Sequence, residues 1–147
     1  MKWVLISLLV FSAAVGAGVY FIQGAGKGEG IEVDWRLLNQ MDYITKHAPT
    51  EIQQLEGQRI KIPGFMVPLE DDQRKVTEFL LVPTPQACIH VPPPPPNQMV
   101  YVRMKKGTDP IPGLPIWVYG KFKVSTVRSQ YGEVSFEMEG DIIEDYR

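Results

Sequence analysis

The chain has 147 residues, of which 44% are hydrophobic and 22% charged, with a formal net charge of −2. This length suits one small domain rather than two. The sequence pI near 5.7 argues against a protein that holds nucleic acid mainly by charge, so no nucleic-acid partner is expected. Two His and one Cys exclude an intrachain disulfide framework and any all-thiolate zinc cage.

Residues 3–22 form an uncharged, mostly apolar run. As a helix, about 20 residues at 1.5 Å each would span about 30 Å, the thickness of the hydrocarbon core of a bilayer. Lys2 precedes the run, so the positive-inside rule keeps the N-terminus in the cytoplasm and exports the rest. Residues 1–23 are therefore predicted to be a signal anchor, or a signal peptide if they are cleaved.

The expected location is the bacterial inner membrane, crossed once by residues 3–22, with the folded domain in the periplasm. A cleaved leader would instead release the domain into the periplasm. The Gly-rich residues 24–33 are expected to be a flexible spacer, and residues 34–147 to be the exported domain.

Two short helices are predicted at the start of that domain. Asp34 is a suitable N-cap for a helix in which Trp35 and Leu38 follow at helical spacing. Thr50 and Gln53 have the Ser/Thr-x-x-Glu/Gln spacing of a capping box, so a second helical turn is expected to begin there.

From Gln58 onward the apolar residues alternate as they do in strands. The first strand carries Pro63-Gly64, which predicts a bulge or bend. Tight hairpins are expected at 71–73 and 129–132. The five candidate strands are Gln58 to Leu69, Lys75 to Val82, Met99 to Met104, Ile116 to Val127 and Glu133 to Ile143.

This pattern predicts a mainly β fold with short N-terminal helices. The strand count and length favour a small five-stranded antiparallel barrel of the oligonucleotide/oligosaccharide-binding (OB) kind, preceded by the transmembrane or signal helix. A partly open sandwich is the alternative architecture.

One stretch carries candidate chemistry. Cys88 and His90 are two positions apart, so in an extended chain their side chains project to the same side. A thiolate and an imidazole side by side can bind zinc or copper. A proline run follows, which stiffens the backbone, and then two amides that could orient a ligand. These residues are Pro92, Pro93, Pro94, Pro95, Pro96, Asn97 and Gln98.

Two ligands do not complete a metal site. His47 is the candidate third ligand in this chain, and a second copy of the chain is another source. The acidic residues near the first hairpin are further candidates, namely Glu70, Asp71 and Asp72. The structural alternative is a buried Cys88 that packs as a small apolar residue.

Three other functions remain open. His47, Cys88, His90 and either Met99 or Met104 have the composition of a blue-copper centre, although their spacing and the strand count depart from it. Cys88 could be a nucleophile with a His base, but side chains two apart rarely form the required hydrogen bond. The proline-rich loop could instead dock a protein partner without any metal.

Three stretches carry a resemblance to a known family: residues 55–69, 79–83 and 87–98. They resemble a bacterial family catalogued as domain of unknown function 3299, with similarity from Trp35 to the C-terminus. The Cys-x-His segment with its prolines and Asn97-Gln98 is the most specific part. The resemblance implies an exported or lipid-anchored envelope protein, with some members encoded near envelope transporters and metal-handling proteins.

Together these observations predict a membrane-anchored envelope accessory protein that is not an enzyme. It is expected to bind a metal ion, zinc before copper, at Cys88 and His90, with an envelope transporter or a metal-handling protein as its partner.

Overall fold

The computed structural model describes residues 28–72, 74–85 and 92–147. The fold is mainly β, as predicted, with few helices. Its elements are β1 (Ile31–Glu32), α1 (Trp35–Leu38), α2 (Thr50–Gln53), β2 (Arg59–Pro68), β3 (Val76–Val82), a 3-10 turn (Pro96–Gln98), β4 (Val100–Thr108), β5 (Pro115–Ser129) and β6 (Gly132–Asp145). No helix among the described residues is long and apolar enough to cross a membrane, and residues 3–22 lie outside them.

The six strands form one sheet in the order β1-β2-β3-β4-β6-β5, in which β2 also pairs with β5. The structure differs from the expected five antiparallel strands in two ways. β1 is a sixth strand. It lies in the stretch that was expected to be a spacer, and it pairs parallel to β2. β6 lies between β4 and β5, antiparallel to β5 but parallel to β4, because a tight hairpin returns the chain beside β5.

Strand β2 changes partner along its length. It pairs with β5 from Arg59 to Phe65 and with β3 from Phe65 to Pro68. The register with β5 is unbroken through Pro63 and Gly64, so the expected bulge is absent. Gly64 instead allows β3 to approach closely, since a Cβ there would lie 2.7 Å from the carbonyl oxygen of Val82.

The two helices are capped differently. The Asp34 carboxylate accepts hydrogen bonds from the backbone N–H groups of Arg36 and Leu37, which confirms the predicted N-cap. The bond from the Leu37 N–H is the main reason that the pKa of Asp34 is lowered. The predicted capping box is wrong, because Pro49 is the N-cap of α2 and Gln53 donates to the carbonyl of Ala48 at 2.6 Å.

The main core packs against one face of the sheet. The helices α1 and α2 cover it through Leu38 and Ile52, which are both fully buried. A second apolar cluster lies on the opposite face of β3 and β4. Because β3 is buried on both faces, its alternation is lost from Phe79 to Val82. The second cluster is formed by Leu80, Val82, Met99, Tyr101 and Val134.

A bulge in β6 places one acidic residue on the outside of the sheet. Tyr119 pairs with Ile142 and Gly120 with Gly140, so Asp141 is the extra residue. Its carboxylate forms an ion pair with Arg59 of β2. The bulge brings β6 so close to β5 that a Cβ on Gly120 would overlap the carbonyl oxygen of Glu139.

We therefore expect Gly120→Ala to destabilise the domain strongly, by about 2 kcal/mol or more, because the added methyl group must displace backbone. Urea unfolding followed by circular dichroism measures the loss. Gly107→Ala is the matched control, since its Cβ would meet side-chain atoms rather than backbone, those of Lys75 at 3.3 Å and of Thr77 at 3.5 Å. Equal stability of the two variants would contradict the close approach at Gly120.

Candidate functional site

The predicted site lies in the connection between β3 and β4, residues 83–99. Cys88 and His90 lie outside the described residues, so their pairing stays a prediction. The described part of the connection includes its exit, residues 92–99, and this part shows how the loop is fastened to the fold.

The proline run at this exit is mostly on the surface. Pro92, Pro93 and Pro95 are exposed, and Pro94 and Pro96 are half-buried. Pro95 has φ −62° and ψ 157°, the polyproline II conformation. The last part of the run is therefore an extended, stiff segment, as its composition predicts.

The side chain of Asn97 joins the end of the proline run to the N-terminal helical segment. Asn97 is 5% exposed, and its Nδ2 donates to the carbonyl oxygens of Asn39 and Met41, both at 3.1 Å. The Oδ1 atom of Asn97 is buried and accepts no hydrogen bond within the described part of the chain. The amide nitrogen is thus committed to the backbone.

Gln98 fastens the same turn to α1. Its Nε2 donates to the carbonyl oxygen of Trp35 at 3.3 Å and to that of Asn97 at 3.0 Å. Trp35 in turn donates from Nε1 to the carbonyl oxygen of Pro63 at 2.6 Å. A chain of hydrogen bonds therefore connects β2, α1 and the start of β4.

His47 is exposed and closes a tight turn with Asp42. The backbone groups of these two residues exchange hydrogen bonds of 3.0 and 3.1 Å. The Asp42 carboxylate accepts from the N–H groups of Ile44 and Thr45, and the bond from Thr45 is the main cause of its lowered pKa. The imidazole of His47 is thus held on the surface by a rigid turn and is accessible from solvent.

Two of the three acidic candidates are already engaged near the β2–β3 connection. Glu70 accepts hydrogen bonds from the backbone and hydroxyl groups of Thr77, and Asp72 forms an ion pair with Arg74 at 2.7 Å. Asp71 is exposed. The described part of the chain contains no group of three or more His, Cys, Asp and Glu side chains arranged to hold a metal ion.

The two methionines of the blue-copper alternative lie on different faces of the sheet. Met99 is 2% exposed within the second apolar cluster, whereas Met104 packs against the main core. Met104 lies well along β4, about 16 Å of strand from Met99. Met99 is therefore the methionine that remains close to the loop.

The family model described as a protein of unknown function, DUF3299, matches residues 31–145. The chain belongs to this family. It is also similar to a crystal structure of a DUF3299 family protein from Pseudomonas aeruginosa, with 34% sequence identity and a TM-score of 0.65. That similarity covers 82% of this chain and 98% of the other. No curated protein matches the chain.

One polar cluster of this DUF3299 chain was not predicted from the sequence. On the outer face of β3, β4 and β6, Tyr101 donates to Glu78 at 2.9 Å, while Arg103 pairs with both Glu78 and Glu137. Burial and then the Glu78 carboxylate raise the pKa of Tyr101. The three strands are distant in sequence, so only their order in the sheet could have revealed this cluster.

We call the two hydrogen bonds from Asn97 Nδ2 to the carbonyl oxygens of Asn39 and Met41 the Asn97 clamp. They generate a stability prediction for this DUF3299 protein. Asn97→Asp places a carboxylate against the carbonyl oxygens of Asn39 and Met41, and we expect it to destabilise the domain by about 2 kcal/mol or more at pH 7. Burial raises the pKa of such a carboxyl group, so it binds a proton as pH falls and can again donate to one carbonyl. The destabilisation should therefore be smaller at pH 5 than at pH 7.

Urea unfolding at the two pH values measures this effect. Asn39→Asp is the matched control, because it adds the same charge at an exposed side chain and leaves the backbone carbonyl in place. A loss of stability in the Asn97 variant no larger than in this control would contradict the clamp.

Proposed function

We propose that the protein is a membrane-anchored accessory protein of the bacterial envelope that binds a metal ion, zinc before copper, through Cys88 and His90. One observation carries the proposal. The Cys-x-His pair is followed, after Val91 alone, by a proline run whose far end is fixed to the fold by Asn97 and Gln98. A stiff, fastened exit reduces the conformational freedom that the loop would lose on binding an ion.

The proposed fold is an OB-like barrel. Its support is the sequence of strand pairings, which runs β2-β3-β4-β6-β5 and returns to β2. In this arrangement the β3–β4 connection is the long one, and it is the connection that carries Cys88 and His90. The site would therefore lie at the rim of the barrel rather than inside it.

The chemistry of the pair favours a carrier over an enzyme. A thiolate and a neutral imidazole are ligands for zinc and for copper, so a thiol or an imidazolium must first lose a proton. Two ligands from one loop leave coordination positions for His47, a carboxylate, a second copy of the chain or a partner's ligand. Such an open site can pass its ion to a metal-handling protein or an envelope transporter.

Membrane anchoring is supported by the sequence of residues 3–22, which is uncharged, and by Lys2 before it. The domain would then face the periplasm, tethered to the inner membrane, or be released into the periplasm if the leader is cleaved. In that oxidising compartment a lone cysteine is protected when it is bound to a metal.

Metal analysis of the purified protein tests the site. We expect bound zinc in the wild type, and a loss of zinc affinity of more than about a hundredfold in the Cys88→Ser, His90→Ala double variant. Protons compete for the imidazole, so zinc affinity should also fall as pH drops through the usual imidazole pKa of about 6.5.

Thr84→Ala is the control for this experiment, because Thr84 is exposed in the same connection and its short hydroxyl side chain is not a usual zinc ligand. Equal zinc and copper content in the wild type and the double variant would overturn the metal site. Intense visible absorption on addition of Cu²⁺ would replace it with the blue-copper alternative.

The second candidate function is a protein-docking module without a metal. It is favoured by the exposure of Pro92, Pro93 and Pro95 and by the polyproline II conformation of Pro95, which suit recognition by an aromatic groove. In cells, this function predicts crosslinked partners that survive Cys88→Ser but disappear when residues 92–96 are replaced by Gly and Ser. Loss of the same crosslinks in the Cys88 variant would favour the metal site.

A further inference from the structure

An amphipathic patch lies on the outer face of β2 and β5 and at the C-terminus. Trp117 and Tyr146 are in contact, with ring centroids 5.0 Å apart, and the Lys61 ammonium lies 4.7 Å from the Trp117 ring centroid. Tyr146 is 46% exposed and donates its backbone N–H to Pro115, directly after Leu114, which is 62% exposed. We call Lys61, Leu114, Trp117 and Tyr146 the Trp117 patch.

The described chain enters the fold beside this patch. A Cβ on Gly28 would lie 3.5 Å from the carboxylate of Glu144, which pairs in register with Trp117. Arg59 donates from Nε to the carbonyl oxygen of Glu29 at 2.7 Å. The first described residues are therefore fastened to the edge of the patch.

The distance from the predicted membrane segment to this entry point is short. Residues 23–27 separate the apolar run from Gly28. Fully extended, that link reaches about 20 Å at most. A folded domain of about 115 residues is about 35 Å across, so the tether is shorter than the domain. With the anchor in place, Gly28 therefore lies within about 20 Å of the bilayer, and so does the surface beside it.

Two of the acidic groups around the patch are paired with basic groups. Glu32 pairs with Lys61 at 3.2 Å, and Asp141 pairs with Arg59. Glu144 accepts a hydrogen bond of 2.9 Å from the hydroxyl of Tyr119, which orients its carboxylate and leaves its charge in place. With two of these three carboxylates paired, the aromatic and aliphatic side chains make the larger contribution to what the patch can bind.

We propose that the Trp117 patch rests on the surface of the bilayer that residues 3–22 cross. Trp and Tyr prefer the headgroup region, where the ring is in an apolar setting and the polar atom remains hydrated, and a lysine can extend beside them to the phosphates. This inference rests on the membrane anchor of the proposed function, and it adds a fixed orientation of the domain on the membrane.

A fluorescent probe at the patch tests the orientation. The full chain with Cys88→Ser receives either Leu114→Cys or, as a control, Ile44→Cys, and the new thiol is labelled with an environment-sensitive dye. Ile44 is also apolar and is 79% exposed, but it lies in the turn near Glu133, at the other end of β6. Both proteins are incorporated into vesicles of phosphatidylethanolamine and phosphatidylglycerol.

In these vesicles we expect the dye at residue 114 to emit at shorter wavelength than the dye at residue 44, and to be quenched by nitroxide-labelled lipid. The dye at residue 44 should be quenched little. Adding Tyr146→Glu to the Leu114 variant should reverse the shift, and high salt should not, because apolar burial rather than charge drives the contact. Circular dichroism of each variant checks that the fold is retained.

Retention on the vesicles after an alkaline wash separates the two proposals. A protein that stays bound while its residue 114 dye behaves like the residue 44 dye overturns the docking and leaves the anchor intact. A protein released by the wash overturns the anchor and the docking together.

Discussion

The buried amide of Asn97 holds together the two parts of the chain on which the candidate site depends. Its two hydrogen bonds reach backbone carbonyls 56 and 58 positions earlier in the chain. Those carbonyls lie just after α1, and that of Met41, a buried residue, would otherwise be a buried acceptor without a partner in the described part of the chain. One side chain therefore supplies hydrogen-bond donors to two backbone carbonyls at the end of a helix. It also fixes the direction in which the proline run joins the fold.

The strands on both sides of the loop are held equally firmly. β3 is buried on both faces from Phe79 to Val82, and β4 begins at Val100 of the main core, directly after Met99 of the second cluster. Packing on both faces fixes the register of a strand, because a shift by one residue would exchange the two apolar sets. The loop between them is thus anchored at both of its described ends.

The sequence predicted the five long strands to within a few residues because their apolar residues alternate and their turns contain Gly, Pro, Asp or Asn. It did not predict β1, since Ile31 and Glu32 form a strand only by pairing with β2. The parallel pairing of β4 with β6 and the Asp141 bulge depend on strand order, which no local pattern contains. The same limit applies to Asn97. The sequence indicated an amide that could orient a ligand, but it did not predict the bonds from Nδ2 to two backbone carbonyls distant in the chain.

The candidate loop leaves the fold beside the Trp117 patch. Val82, the last residue of β3 before the loop, pairs with Phe65 of β2. Phe65 also pairs with Pro115, which directly follows Leu114 of the patch. Neighbouring strands are about 4.8 Å apart, so the start of the loop lies about two strand spacings from the patch. A domain resting on the bilayer through the patch would therefore hold the start of the loop near the membrane surface, where a membrane-bound partner such as the proposed transporter lies.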